Sequence, residues 1–387
     1  MPEAVIVAAG RSPIGRAFKG SLVDLRPDDL TATIVSRVLD TVPQLDRHEV
    51  NDLILGCGLP GGEAGFNMGR VVSLLAHLDV PGTTITRYCS SSLQTTRMAF
   101  HAIRSGEGDV YVSAGVECVS RFVNGSSDMP QLQNPRMQPG NAEGYPDVYI
   151  AMGQTAENVA DLEEISREEM DQFAARSQNR AVQSQTDGFF EREIIPVERP
   201  DGATVGRDDG PRPNTTAEVL ATLKPAFREN GKVTAGNSCP LNDGAAALVV
   251  MSDTRAKELG ITPLARIVST GLSALAPEIM GLGPIQASKQ ALQRAGMSID
   301  DVDVVEINEA FAAQVIPSAR GIGIDPFDER FNPFGGSIAL GHPFGMTGAR
   351  ITCTLLNGLR TLDKTVGLET MCVGGGMGMA MVLERLN

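Results

Sequence analysis

Four side chains suited to covalent catalysis stand in small-residue turns that are far apart along the chain. Cys89 is followed by three serines, His342 lies between a glycine and a proline, Cys372 shortly precedes a triple glycine, and Asn308 follows an apolar stretch. Small residues let a backbone approach a ligand closely. The set supplies a thiol nucleophile, a base, a second acid–base group and an oxyanion donor, so it predicts an enzyme that works through a covalent thiol intermediate.

Cys89 lies between an extended stretch over residues 83–86 and a helix predicted over residues 90–104. A cysteine at a helix N-terminus lies at the positive end of the helix dipole, which favours the thiolate. The alternative is a buried cysteine that only fills space. Because Arg87, Tyr88 and three serines surround it, the polar setting favours the nucleophile.

His342 is one of four histidines in the chain, and its neighbours are rich in glycine. A histidine in such a turn can remove the proton of a thiol or donate to an oxyanion. Asn308 can donate to a carbonyl, directly or through water, although asparagine is also common at the start of a helix. Glu306 and Glu309 are close to Asn308 in sequence, and one of them is expected to orient it.

Cys372 ends a predicted strand just before Gly374-Gly375-Gly376. Amide N–H groups in such a run can point at one oxygen, which predicts an oxyanion hole. An inert strand cysteine is the alternative, and it is the better interpretation when Cys372 is considered alone. A phosphate loop is rejected, because the Walker spacing and its lysine are missing.

The elements around these residues occur twice. Each half begins with a strand, a glycine-containing turn, a helix, an acidic linker and a second strand. A helix opened by small residues follows, and then a strand that ends in glycine. Gly10 and Gly271 are 261 residues apart, and Gly115 and Gly375 are 260 apart, so order and spacing both repeat. The sequence predicts an N-terminal half over 1–118 plus 241–255, a C-terminal half over 260–387, and an inserted loop domain over 119–240 that covers the first half.

Composition narrows the function classes. At 387 residues the chain suits two or three domains. A net charge of −14 and the absence of tryptophan argue against nucleic acid and anionic membranes as partners. Six cysteines without CxxC spacing argue against a zinc site or a disulfide framework. The opening residues lack a basic–apolar signal peptide, and no apolar run approaches the roughly 20 residues of a membrane span, so a cytoplasmic location is expected.

With these residues assembled, the chain resembles the thiolase family over nearly its whole length. The motifs that carry the resemblance are residues 87–94, 152–160, 233–237 and 242–246, and the segments around Asn308, His342 and Cys372. The resemblance implies an α/β fold of five layers, α/β/α/β/α, built from two duplicated halves with an inserted loop domain. It also implies a homotetramer or a homodimer.

In the reaction that the resemblance implies, His342 activates Cys89, which attacks the 3-keto carbon of a 3-ketoacyl-CoA. Cys372 protonates the departing acetyl-CoA enolate, and the acyl group passes from Cys89 to a new CoA; the reverse reaction is a Claisen condensation. One oxyanion would be held by His342 and, through water, by Asn308, and the other by the N–H groups of Cys89 and Gly374. Acyl-CoA and CoA are substrates, and no cofactor or metal is implied.

The resemblance also implies how CoA binds. By position, Arg212 meets the adenosine phosphate, and the pantetheine channel is lined by Met152, Phe227, Ala235 and Phe311. An ordinary surface arginine is the alternative interpretation of Arg212.

Two departures from the family pattern bear on the substrate. Cys239 stands where members often carry a serine that bonds CoA, and Ala151 stands where short-chain biosynthetic members often carry histidine. Together with the residues around Cys89, Ala151 favours a degradative 3-ketoacyl-CoA thiolase, whereas Cys239 bears on the contact with CoA. The alternatives are a biosynthetic acetoacetyl-CoA thiolase, a β-ketoacyl synthase, in which a second histidine is expected near Cys372, and a non-catalytic acyl-CoA-binding protein, which should lack Cys89, His342 or Cys372.

Overall fold

Strands and helices alternate along the chain in a computed structural model that describes residues 1–387. The strands are β1 (Ala4–Arg11), β2 (Gly15–Arg16), β3 (Asp52–Cys57), β4 (Gly82–Ile85), β5 (Val110–Cys118), β6 (Val197–Glu198), β7 (Thr204–Val205), β8 (Asn242–Ser252), β9 (Ala265–Ala274), β10 (Val304–Ile307), β11 (Val366–Val373) and β12 (Met377–Arg385). The helices are α1 (Pro27–Asp40), α2 (Met68–Leu75), α3 (Ser91–Ser105), α4 (Met152–Leu162), α5 (Arg167–Thr186), α6 (Ala217–Ala221), α7 (Asp253–Glu258), α8 (Gly283–Ala295), α9 (Ala312–Ile322), α10 (Ser337–Leu340) and α11 (Thr347–Thr361). None of the helices has the length and apolar character needed to cross a membrane.

The two halves have the same strand order. In the first half the order is β1-β8-β5-β3-β4, and in the second it is β9-β12-β11-β10, with a single parallel bridge from Val305 to Phe331 in the place of β4. In both halves the first three strands are antiparallel and the next pair is parallel. The halves also share one edge, because β1 pairs with β9 through two residue pairs.

Helices α3 and α11 lie between the strands of the two halves, while α1 and α2 cover the outer face of the first half and α8 and α9 that of the second. The buried apolar side chains accordingly form two outer clusters and one central cluster. Alternation along a strand places its side chains on both faces. In β8, for example, Val249 belongs to an outer cluster and Leu248 and Val250 to the central one. The five-layer α/β/α/β/α prediction is confirmed, with the two sheets continuous at β1 and β9.

The segment between β5 and β8 contains helices α4 to α6 and the short hairpin of β6 and β7. The sequence Ser166-Arg167-Glu168-Glu169 has the pattern of a capping box and predicts a helix start. Helix α5 begins there, because the Ser166 hydroxyl accepts the N–H of Glu169 at 3.1 Å and so caps the first turn. The buried carboxylate of Glu309 accepts a hydrogen bond from Ser177 of α5 at 2.5 Å and another from Asn332 at 2.8 Å. The bond from Ser177 attaches the inserted segment to the second half of the chain.

Two carboxylates are buried side by side in the second sheet. Glu306 of β10 and Glu369 of β11 are direct neighbours in register, and both are at most 1% exposed. Burial raises the pKa of each to about 8, although the nearby Arg350 guanidinium acts in the opposite direction. The folded protein therefore binds protons at these residues that the unfolded chain, with a glutamate pKa of about 4.3, releases.

We expect Glu306→Gln to gain stability relative to the unsubstituted protein as pH rises from about 5 to about 8. A raised carboxyl pKa contributes stability at low pH that is lost as pH rises through the folded value, and glutamine imitates the protonated form. The difference should grow by up to about 1 kcal/mol per pH unit, measured as thermal or urea unfolding over this range. Exposed Glu229 supplies the control, Glu229→Gln. A difference that is flat or that shrinks with pH contradicts the prediction.

Candidate active site

Cys89 lies in a tight turn between β4 and α3, and this turn holds a strained backbone. Tyr88, the preceding residue, has a φ of +44°, a left-handed value that bulky residues rarely adopt. Ser91 stabilises the turn, since its hydroxyl accepts the N–H of Arg87 at 2.9 Å and donates to the carbonyl of Tyr88 at 2.7 Å. The position of the thiol at the start of α3 is therefore set by the backbone.

The Cys89 side chain is largely withdrawn from solvent, with the residue 9% exposed. The backbone N–H groups of Gly374 and of Cys89 itself act to lower the pKa of its thiol. Burial nevertheless raises the pKa of the thiol to about 12, and the Glu117 carboxylate adds to the increase. The expectation that the helix dipole favours a thiolate is therefore wrong for the resting site, because desolvation outweighs the dipole and the two N–H groups.

His342 is held from both its backbone and its ring. Its N–H donates to Asn242 at 3.0 Å, and Gly341 before it has a φ of +114° and no room for a side chain, because an added Cβ would lie 2.5 Å from the Asn242 amide. Its Nδ1 lies 2.6 Å from the Thr347 hydroxyl, which donates to the Pro343 carbonyl at 2.8 Å. Since that hydroxyl proton is already engaged, Thr347 accepts from Nδ1–H, and Nε2 keeps its lone pair.

The imidazole of His342 is uncharged in the resting site. Burial lowers the pKa of His342 to about 3, and the positive charge of Arg350 adds to the decrease. A neutral ring with a free Nε2 can accept a proton from a nearby thiol.

Asn308 follows β10, and its side-chain amide lies beside His342. Its Nδ2 is 3.4 Å from Nε2 of His342. Its Oδ1 accepts the hydroxyl of Ser337 at 2.6 Å, and Ser337 in turn accepts from Nη2 of Arg350 at 2.8 Å. The expectation that Glu306 or Glu309 orients this amide is therefore wrong, because Ser337 makes the contact.

Cys372 lies near the end of β11 with no exposed surface. Burial raises the pKa of its thiol well above the ordinary value, and negative charge at Cys89 or Cys239 would raise it further. Three sulfur atoms therefore lie near one another in this part of the protein. After β11 the chain turns at Gly375 and Gly376, which have φ values of +79° and +81°.

The turns that carry these groups contact one another. The Cys89 turn packs against β11 and against residues 344–346, which follow His342. Asn308 is joined to β11 by its N–H, which donates to the Thr370 carbonyl at 3.0 Å. The structure thus brings Cys89, Gly374 and Cys372 together, and places the pair of His342 and Asn308 beside them.

Glu117 is a buried residue of this region that sequence analysis missed. Its carboxylate accepts N–H groups of Gly58 at 2.7 Å, Gly345 at 2.9 Å and Leu59 at 3.2 Å, which joins the turn after β3 to the turn after His342. Burial raises the pKa of Glu117 to about 7, against these three donors. An acidic residue in the otherwise apolar β5 is the signal that could have revealed it.

A cavity of about 210 Å³ opens beside the Cys89 sulfur. Met152 and Gly374, two of the predicted site residues, line it together with Cys89. Leu59 and Phe344 also line this cavity. The cavity therefore gives a small apolar group access to the thiol.

Arg212 and Ala235 line a second cavity of about 270 Å³. The remaining predicted CoA-binding residues lie close to residues that line one of the two cavities. Phe227 packs on Gly153, next to Met152, and its ring centre is 6.0 Å from that of Phe311. Cys239 donates its N–H to the carbonyl of Ala310 at 3.0 Å, beside Phe311, and its neighbour Ser238 lines the second cavity. Each predicted binding residue therefore lines one of the two cavities or lies near a residue that does.

The side chains of the site do not form a metal centre, since no group of three or more His, Cys, Asp or Glu is placed to hold an ion.

Comparison with known proteins matches the chain to thiolases along its whole length. The sequence model of the thiolase N-terminal domain matches residues 4–254, and that of the thiolase C-terminal domain matches residues 261–385.

Named relatives agree with this match. A 3-ketoacyl-CoA thiolase of Bacillus subtilis is 42% identical over 402 residues, which cover 99% of this chain and 100% of that protein. A β-ketoadipyl-CoA thiolase of Escherichia coli is 43% identical, with 100% of both chains covered.

Solved structures agree as well. The dimeric peroxisomal thiolase of Saccharomyces cerevisiae superposes with a TM-score of 0.92 at 35% identity, covering 99% of this chain and 97% of that one. The acetyl-CoA acetyltransferase of Bacillus anthracis superposes with a TM-score of 0.89 at 39% identity, covering 100% and 99%. On sequence and fold together, the chain belongs to the thiolase family.

Proposed function

We propose that this protein cleaves a 3-ketoacyl-CoA with CoA, giving acetyl-CoA and a shortened acyl-CoA, or runs the reverse Claisen condensation, through an acyl group on Cys89. The observation that carries the proposal is the geometry at one sulfur. The N–H groups of Gly374 and Cys89 lower the pKa of this thiol, the Cys372 thiol lies near it, and the segment that follows the uncharged imidazole of His342 packs against its turn. The names of its relatives support the same reaction class.

The first half-reaction forms the acyl-enzyme. His342 Nε2 takes the Cys89 proton as the sulfur attacks the 3-keto carbon, and the oxyanion that forms is stabilised by donors aimed into the site. The bond between C2 and C3 breaks, its electrons pass to the acetyl-CoA enolate, and the Cys372 thiol gives its proton to C2. Cys89 then carries the shortened acyl group, His342 is protonated and Cys372 is a thiolate.

The second half-reaction restores the protein. The incoming CoA thiol gives its proton to the Cys372 thiolate and attacks the acyl carbon on Cys89. The bond from carbon to the Cys89 sulfur breaks, and the sulfur recovers its proton from His342. Because burial disfavours every charged form in this pocket, the ions exist only while the reacting groups are in place.

CoA is proposed to extend from the Cys89 cavity to the cavity of Arg212. Burial and the nearby Arg16 guanidinium lower the pKa of Arg212, so two positive groups lie close together in an acidic protein. Arg212 has no salt-bridge partner within the chain, which leaves it available to a phosphate. Met152, Phe227, Ala235 and Phe311 would line the pantetheine arm, with Cys239 in the place of a bonding serine.

The setting of the reaction is part of the proposal. We place the protein in lipid metabolism, in fatty acid β-oxidation, and in the cytoplasm, as a homodimer or homotetramer. The dimeric yeast relative supports assembly. The six free cysteines suit a reducing compartment, in which the Cys89 and Cys372 thiols stay available for catalysis.

The test is thiolysis by the purified protein. With 3-oxohexanoyl-CoA and CoA, we expect acetyl-CoA and butyryl-CoA in equal amounts. Without added CoA, we expect a butyryl group on the peptide that contains Cys89. If neither product nor labelled peptide appears, and the protein only binds acyl-CoA, the chain is a non-catalytic acyl-CoA-binding protein and the proposal is wrong.

A further inference from the structure

The cavity beside Cys89 has an unusual distribution of charge. Nine of its 13 lining residues are hydrophobic, and Asp128 is the one charged residue among them. We infer that the acyl chain transferred through Cys89 is uncharged, and that a chain ending in a carboxylate is selected against. This inference rests on the proposed function and names its substrate class.

The acyl chain on Cys89 would occupy the cavity that Cys89 itself lines. In the proposed function CoA binds toward the cavity of Arg212 and Ala235. The Cys89 cavity is lined by Leu59, Tyr149 and Phe344 as well. An engineered apolar cavity of about 150 Å³ holds benzene in another protein, so about 210 Å³ accommodates a chain of several carbons. The group attached to the 3-keto carbon therefore lies among apolar side chains.

A carboxylate in this space would meet no cationic side chain. Transfer of an ionised carboxylate to an apolar environment is strongly unfavourable unless a cation or several hydrogen bonds compensate it. No lysine, arginine or histidine lines the cavity, and Asp128 would add like-charge repulsion.

The basic residues of the neighbouring loop already have partners. Arg121 donates through Nε to Glu63 at 2.9 Å, and Arg136 donates through Nε to Glu143 at 2.7 Å. Recruiting either one for a substrate would break an existing ion pair. Arg87, which precedes Tyr88, lies close enough to Arg97 to lower the pKa of the Arg97 guanidinium. These two arginines form a basic group outside the cavity lining.

Overall similarity does not choose between the two substrate classes. The relative named 3-ketoacyl-CoA thiolase is 42% identical and the one named β-ketoadipyl-CoA thiolase is 43% identical. The charge of the cavity lining is thus the feature that separates them for this chain.

The experiment compares 3-oxohexanoyl-CoA with 3-oxoadipyl-CoA, which have chains of equal length and differ in a terminal methyl or carboxylate. We expect kcat/KM to be at least about tenfold higher for 3-oxohexanoyl-CoA. Equal values, or a preference for 3-oxoadipyl-CoA, overturn the inference and leave the thiolase proposal intact. Cleavage of neither substrate counts against the proposed function instead.

Asp128 provides a second test, because it is exposed and its replacement should not disturb folding. We expect Asp128→Asn and Asp128→Lys to raise kcat/KM for 3-oxoadipyl-CoA progressively, by several-fold for lysine, with little change for 3-oxohexanoyl-CoA. Glu229→Gln, which removes an exposed acidic residue outside the cavity lining, is the control. An unchanged ratio of the two kcat/KM values in Asp128→Lys shows that the end of the acyl chain lies elsewhere and overturns the inference.

The Ser337 hydroxyl links Arg350, a buried arginine beside the site, to Asn308. Arg350 is 1% exposed, its Nε and Nη1 have no partner, and its Nη2 donates to Ser337. The Ser337 proton is thereby directed at Oδ1 of Asn308, which turns Nδ2 toward His342. The geometry assigns Ser337 as a positioning residue for the Asn308 amide, and this role also rests on the proposed function.

We expect Ser337→Ala to lower kcat by about tenfold or more while KM changes little, because the amide loses its fixed orientation but the CoA path is untouched. Ser337→Thr, which keeps the hydroxyl, should recover most of kcat. Ser318→Ala removes another buried hydroxyl, one that donates to Gly281, and controls for lost stability. An unchanged kcat in Ser337→Ala, or a loss that Ser318→Ala reproduces, overturns the assignment.

Discussion

Replacing Cys89 with alanine is expected to abolish acyl-enzyme formation and to reduce thiolysis by at least about four orders of magnitude. Cys89 is the one cysteine that lines the cavity, and Cys372 is absent from that lining. The measurement is transfer of a labelled acetyl group from acetyl-CoA, followed by peptide mapping.

The matched control for this substitution is Cys353→Ala. Cys353 is also a buried free cysteine, 3% exposed, but it lies within α11 and lines neither cavity. Its removal should leave labelling of Cys89 intact. A labelled acetyl group trapped on another residue of the Cys89→Ala protein would show that the nucleophile has been misassigned.

Replacing Cys372 with alanine should separate the two chemical steps. The variant is expected to accept an acetyl group on Cys89, because the nucleophile, His342 and the Gly374 N–H remain. It should fail to exchange the α-protons of acetyl-CoA with deuterium, since the thiol proposed to remove them is gone. Condensation and thiolysis should both fall by about three orders of magnitude or more.

The comparison that decides this prediction is exchange against acylation in the same sample. Cys353→Ala again serves as the control and should retain both activities. Deuterium exchange at the normal rate in Cys372→Ala would refute the acid–base role, whereas loss of acylation together with exchange would point to damage at Cys89.

Sequence reasoning succeeded where the information is local or repetitive. The duplicated spacing of glycines predicted two like halves, and both halves have the same strand order. Ser166 predicted the start of α5, because a cap depends on residues three apart. Small-residue turns pointed to Cys89 and His342, because small residues let the backbone of a turn approach a ligand closely.

Sequence reasoning failed where a property depends on the surroundings. The helix dipole at Cys89 is local and was foreseen, but the desolvation that raises its pKa to about 12 depends on how the turn is buried. Ser337 was missed as the partner of Asn308, because the contact spans 29 residues and competes with two nearer glutamates. The same holds for Glu117, whose partners Gly58 and Gly345 lie on different turns.

By itself, then, the order of residues determined the family and the layered fold and nominated the reactive side chains, since each depends on motifs and periodicity. Only the tertiary structure decided which ring nitrogen of His342 is free, that the resting thiol and imidazole are uncharged, and that the acyl cavity has a single acidic residue. These properties arise from burial and from contacts between distant segments, which exist only once the layers have packed.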